Sequence, residues 1–303
     1  MQHGTARRRT RLHSISARGR LRGVIPREVV KRLAAYIRAI AILAVPLMMA
    51  SAPPPASVQQ SVVVPDGWVA DVYLAESGIC LRRVGGELLV GGFNTVWSGT
   101  TPIAQGGFVA AAIDRAPDGT LYVSEAIFPA SLWRFPPDGS GQQTALWGFK
   151  YSHGVCVLPN GDVLALDTGW LNFAGEDGKI VKVPPTLASV EQLPAEVTSP
   201  LLINPASIEL GPDGYVYFAE RRYLWFQDGS IWRFKPGNPV AELVLAGLGD
   251  PFDTAWAPDG ALFITDGTNL LRWHPQTGTI ELWASGFVAP HGVDVAPNGD
   301  VYV

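Results

Sequence analysis

The chain has 303 residues, 47% of them hydrophobic, which is enough to bury a large core in one large domain or two ordinary ones. Its two cysteines exclude a disulfide-stapled scaffold and a multi-cysteine zinc module. The net charge of −4 hides a split: residues 1–38 hold 11 of the 23 basic side chains and one acid, which leaves 12 basic and 26 acidic side chains in the rest. A body this acidic excludes nucleic acid as a partner, because phosphate requires a basic surface.

The first sixty residues read as an address. The basic run ends at Arg38 and is followed by an apolar stretch of 12 residues, 39–50. That is the length of a signal-peptide hydrophobic region and is short for a bilayer span. Ala50-Ser51-Ala52 has the small-x-small form of a cleavage site. Pro53 directly after it opposes cleavage, so an uncleaved anchor is the alternative. The expected organisation is a basic region with a signal peptide or anchor (1–52), a linker (53–60) and a folded body (61–303). The expected location is outside the cytoplasm, with membrane contact only through the N-terminal segment.

Internal repeats decide the fold. Pro117-Asp118-Gly119, Pro159-Asn160-Gly161, Pro212-Asp213-Gly214, Pro258-Asp259-Gly260 and Pro297-Asn298-Gly299 are hairpin-turn chemistry between short apolar runs. A strand precedes and a strand follows each turn, and most copies continue into a third strand and a fourth. Four short antiparallel strands repeating in this way describe a β-propeller blade. Counting innermost strands near Gly78, Ala112, Gly154, Ser207, Asp253 and Gly292 gives six blades in an all-β domain. Residues 68–74 are expected to supply the outer strand of the last blade and so protect its edges. The chain stops at the second strand of that blade, so the last blade is expected to be truncated and the sequence a fragment.

Glu125, Asp167, Glu220 and Asp266 recur after the second strands, and Arg134, Lys182, Arg233 and Arg272 recur in the third. A residue repeated in four blades cannot mark one site, so these are expected to be structural. Cys80 and Cys156 fall at the same repeat position in blades that are not neighbours and are expected to be buried free thiols. The informative residues break the repeat. Those leading into the innermost strands ring the channel mouth: Glu76, Phe108, His153, Asn204, Asp253 and His291. Polar groups converging on a concave mouth are the default site. Carboxylate, amide and imidazole donors suit a divalent cation, Ca, Mg, Mn or Zn. On the same face, Trp170 and Phe173 in one loop and Arg222, Tyr223 and Trp225 in another are candidate ligand contacts. Their expected partner is a small molecule, or an extracellular protein or glycan.

The Pro-Asp-Gly-x-Leu-Tyr-Val-x-Glu pattern, followed by an aligned third strand, resembles the NHL repeat and the six-bladed propellers of the senescence-marker-protein and gluconolactonase family over residues 62–303. The resemblance implies a divalent metal at the mouth, held by Glu76, Asn204 and Asp253, which polarises a lactone carbonyl and activates water. That family sets its Asn and Asp directly before the Gly of the inner strand. Here Ala206 and Phe252 hold those places, with Asn204 two residues early and Asp253 one late. His153 and His291, each in His-Gly-Val, resemble the streptogramin B lyases, in which a channel-mouth His acts as base alongside Mg²⁺. Three functions follow. The first is a metal-dependent lactone or ester hydrolase with His153 or His291 as base. The second is a non-catalytic propeller that binds a ligand or protein. The third is a streptogramin-type lyase.

Overall fold

The computed structural model describes residues 62–70, 79–127, 129–137, 144–168, 178–185, 191–192, 202, 204–221, 228–238 and 240–303. The leader, the linker and Glu76, Trp170, Phe173, Arg222, Tyr223 and Trp225 lie outside these residues. Every regular element among the described residues is a β-strand. None of them forms a helix long and apolar enough to cross a membrane.

The strands form antiparallel sets in chain order. A seven-stranded sheet runs β1 (Cys80–Val84), β2 (Glu87–Gly91), β3 (Phe93–Ser98), β4 (Thr101–Arg115), β5 (Leu121–Glu125), β6 (Ala130–Phe135) and β7 (Thr144–Phe149). It is two repeats joined by one long strand. The first part of β4 is the fourth strand of one repeat and pairs with β3, whereas residues from Ala110 onward are the first strand of the next and pair with β5. Three four-stranded sheets hold β8 (Val155–Val157) to β11, β12 (Pro205–Leu210) to β15, and β16 (Pro251–Trp256) to β19. Within them lie β9 (Val163–Asp167), β10 (Lys179–Val183), β11 (Glu191–Gln192), β13 (Val216–Glu220), β14 (Gly229–Phe234), β15 (Glu242–Leu248), β17 (Leu262–Asp266), β18 (Asn269–His274) and β19 (Thr279–Ser285). A hairpin of β20 (Asp294–Val295) and β21 (Val301–Tyr302) ends the chain. β20 touches both β16 and β1, so the last hairpin meets the first sheet.

Burial runs from the inside outward. The second strands β5, β9, β13 and β17 are buried at all five positions, whereas the fourth strands β15 and β19 are mostly exposed. A strand covered on both faces needs a near-continuous apolar run, and these four have one up to their final acid, broken only by Ser124 in β5 and Thr265 in β17. The core lies between sheets. Leu164 and Leu166 of β9 cluster with Ile208, Val216 and Phe218 of the next sheet, and Tyr217 and Ile231 cluster with Leu262, Ile264 and Trp273 of the one after.

The five turns share one construction. Gly119, Gly161, Gly214, Gly260 and Gly299 each take a φ between 78° and 93° and donate an N–H back across the turn, as in Gly119 N to Ala116 O at 2.9 Å. This is a type I turn closed by a left-handed residue. The Asp or Asn before the glycine keeps a negative φ and contributes its side chain: Asp118 Oδ1 accepts from Thr120 N at 2.8 Å, and the other four copies do the same.

The repeated charges are structural. Asp167 accepts from Lys150 N at 3.1 Å, Glu220 from Asn204 N at 3.0 Å and Asp266 from Gly249 N at 3.0 Å. Each therefore satisfies a backbone N–H that leads into an inner strand. Arg233 spans Asp213 and Glu242, and Arg272 spans Asp259 and Glu281, at the exposed edge. Cys80 and Cys156 are buried free thiols. Of the edge-closing segment expected over 68–74, residues 68–70 are described. Val63 pairs with Ser285 at the end of β19 through two backbone hydrogen bonds of 2.9 and 3.0 Å, and Trp68 packs edge-on to Trp283 at 4.8 Å. The stretch from Val63 thus pairs with the edge of β19, while Val64 packs on the cluster that includes Val293, Val295 and Val301 of the last hairpin. Residues 71–74 lie outside the described residues.

Candidate functional site at the channel mouth

His153 before β8, Phe252 near the start of β16 and His291 before β20 come together. Phe252 stacks on the His291 ring at 4.2 Å, nearly parallel, and lies 5.7 Å from the His153 ring. Arg221, just past β13, places its guanidinium 4.5 Å from the centre of the same phenyl ring. Its Nε and Nη2 donate to the two oxygens of Asp250 at 2.6 and 2.8 Å. That bidentate pair neutralises the cation while it covers the aromatic face. The two histidines therefore do not face each other across an open mouth, as the sequence suggested. Both lie against Phe252, whose ring takes the centre because it stands one residue before Asp253.

The electrostatics keep both imidazoles neutral. Burial pushes His153 down to about 4, helped by Arg221 and His291. Burial and Arg221 also lower His291, against the pull of Asp250. At neutral pH both rings can accept a proton or a hydrogen bond, and His153 is a weak base. Its Nδ1 is buried without a hydrogen-bond partner.

Asp253 is bound by the fold. Its Oδ1 accepts from Thr254 N at 2.9 Å and its Oδ2 from Val293 N at 3.0 Å, which links β16 to the β20 hairpin. Burial raises its pKa to about 7 against those two donors. Asn204 is buried, donates its backbone N–H to Glu220 and leaves Oδ1 without a partner. It is not among the residues lining the central cavity, which include His153, Phe252, Asp253 and His291. Among the described residues, no three His, Cys, Asp or Glu side chains converge as metal ligands. Glu76 lies outside them, so the set Glu76, Asn204 and Asp253 stays a proposal.

The cavity that these side chains share with Arg82 and the inner strands holds about 30 Å³. That is room for a water or two, so a larger ligand would sit over these side chains rather than among them. A charged cluster surrounds Arg82. Arg82 of β1 reaches Glu209 Oε1 of β12 at 3.1 Å and Asp114 of β4 at 3.8 Å, with Asp294 of β20 also within its field. Asp114 and Asp294 repeat the construction of Asp253: each accepts its own following N–H and one from the next inner strand, Val157 N and Arg83 N. Sequence reasoning missed Phe252 as a site residue, the Arg221–Asp250 pair and this cluster. The available signal was a charge at the middle of otherwise apolar inner strands.

Comparison with solved structures decides the architecture. Virginiamycin B lyase from Staphylococcus aureus matches with 14% identity over 71% of this chain and 73% of that one, at a TM-score of 0.51. A gluconolactonase-like protein matches with 17% identity over 76% of each chain, also at 0.51. TolB from Acinetobacter baumannii matches with 15% identity over 71% of this chain and 53% of its own, at 0.51. The fold is a β-propeller. Its solved neighbours include the gluconolactonase and streptogramin-lyase types that the repeat resembles, and at these identities the likeness extends to the fold alone. No protein-family model and no curated protein sequence matches the chain.

Proposed function

We propose that the chain is an exported, six-bladed propeller whose channel mouth binds a ligand around Phe252, His291 and His153, with the Arg221–Asp250 pair at its rim. The observation that carries this reading is the aromatic and imidazole stack beside a cavity too small for a substrate. A neutral, hydrogen-bonding surface backed by an aromatic ring suits an uncharged organic ligand. The loops bearing Trp170, Phe173, Arg222, Tyr223 and Trp225 would then complete the site. The test is a thermal-shift screen of the full chain against lactones, aryl esters and neutral aromatic amides, repeated on Phe252→Ala. A stabilising compound that loses its effect in the variant supports the reading. Stabilisation that is undiminished in the variant places the ligand elsewhere.

A second reading, the metal-dependent lactone or ester hydrolase, has one observation in its favour: the buried Asn204 Oδ1 that lacks a partner. In that reading Glu76, Asn204 and Asp253 hold a divalent cation and a neutral imidazole accepts a proton from water. Against it, both Asp253 oxygens already accept backbone hydrogen bonds. Elemental analysis of the purified chain beside an Asn204→Ala variant separates the two. Stoichiometric Ca, Mg, Mn or Zn lost in the variant favours the hydrolase, or the streptogramin-type lyase, which also needs a cation.

A further inference from the structure

Four carboxylates, Asp114, Glu209, Asp253 and Asp294, lie around the single guanidinium of Arg82, on five of the inner strands. The buried thiol of Cys156 on β8 completes the groups that face Glu209. Four negative charges around Arg82, with Arg83 acting on Asp294 as well, cannot all persist in a buried site, because each further like charge disfavours the charged form. Some acid in the cluster must keep its proton at neutral pH.

Hydrogen bonding singles out which one. Asp114, Asp253 and Asp294 each present both oxygens to backbone N–H donors, an arrangement that favours the ionised form. Glu209 has a backbone donor too, at Trp256, and its Oε1 pairs with Arg82, but its Oε2 is buried without any partner. Oε2 is therefore the atom where a proton costs least.

We propose that Glu209 and Arg82 form a proton-linked latch at the centre of the propeller, with a proton on Glu209 tightening the contact between inner strands and its loss loosening them. The titration behaviour agrees in direction. Burial raises Glu209 to about 8, with Asp294 and Asp253 adding to the rise and Arg82 opposing it. Burial likewise raises Asp114 and Asp294, against Arg82. An acid whose pKa is higher folded than unfolded makes the folded state bind more protons, so its stabilising effect is complete at low pH and fades as pH rises through the folded value.

The test is urea unfolding of the full chain followed by tryptophan fluorescence between pH 7 and pH 8. That window lies above the ordinary histidine value of 6.5 and below the ordinary thiol value of 9.0, which limits the part of those groups, while Asp253, raised to about 7, adds a smaller fall of its own. The folding equilibrium constant of the wild type is expected to fall about five-fold across it for one such proton. Glu209→Gln cannot ionise and is expected to give a much shallower profile there, with only the part due to Asp253 left. A wild-type profile that is flat or rises with pH overturns the proposal, as does a Glu209→Gln profile with the wild-type slope. If the variant does not fold, proton exchange on unfolding the wild type at pH 7.5 decides. Release of most of one proton supports the latch, and no release or net uptake overturns it.

Discussion

Replacing Arg82 with Met keeps much of the side-chain stem and removes the cation that faces Asp114, Glu209 and Asp294, leaving Arg83 near Asp294. Glu209 lies 3.1 Å from the guanidinium and Asp114 3.8 Å, with side-chain exposures of 11% and 9%, so water screens neither well. With Glu209 largely protonated at this pH, removing the cation leaves the charges of Asp114 and Asp294 uncompensated, and breaking a buried pair in this way costs about 3–5 kcal/mol. For a domain of this size each kcal/mol moves the midpoint by about 2–4 °C, which makes the expected drop in Tm about 6–20 °C at pH 7.5. The same substitution is expected to cost less at pH 5.5. Glu209 and Asp253 have raised pKa values, so in acid they bind protons and the site no longer needs the cation. Melting curves by circular dichroism at the two pH values measure both effects. A drop below about 2 °C at pH 7.5, or an equal drop at pH 5.5, would refute the idea that Arg82 neutralises the channel.

Asp253→Asn replaces one acceptor oxygen with an amide donor that faces a backbone N–H. Urea unfolding is expected to show a loss of about 1–3 kcal/mol, the cost of an unsatisfied buried donor, and no loss would mean that the link from β16 to the last hairpin is dispensable. Gly91→Ala puts a Cβ 2.7 Å from each of Ala110 Cβ, Cys80 Sγ and Ile113 Cδ1 where the first two repeats meet. Overpacking there is expected to cost about 1–3 kcal/mol, and a thermal midpoint equal to the wild type would show that the contact relaxes freely. His153 is expected to stay neutral from pH 5.5 to pH 8, since burial, Arg221 and His291 lower it to about 4. A flat ring-proton shift in NMR over that range agrees with this, and a midpoint near 6.5 contradicts it.

The repeat was legible because its determinants are local. Five Pro-Asp/Asn-Gly turns fix hairpins, and the fully buried runs of β5, β9, β13 and β17 announce strands covered on both faces. The structural reading of the repeated acids was also local, since Asp167, Glu220 and Asp266 satisfy backbone donors of their own repeats. The mouth was legible only in part. Histidines at 153 and 291 stood out by breaking the repeat, and both line the mouth. What lay between them did not stand out, because Phe252 reads as one more apolar residue until the ring brings β8, β16 and β20 together. The Arg82 cluster was hidden for the same reason. Its members come from β1, β4, β12, β16 and β20, and no spacing along the chain relates an arginine at 82 to an acid at 209.

The most direct measurement on the mouth is the affinity of the strongest compound from the thermal-shift screen for the wild type, Phe252→Ala and His291→Ala. Isothermal titration at pH 7.5 gives the three dissociation constants. Truncating a buried contact in a binding centre costs more than about 1.4 kcal/mol, so each variant is expected to bind at least ten-fold more weakly. Affinity unchanged in both variants would contradict a ligand site built on Phe252 and its two flanking imidazoles.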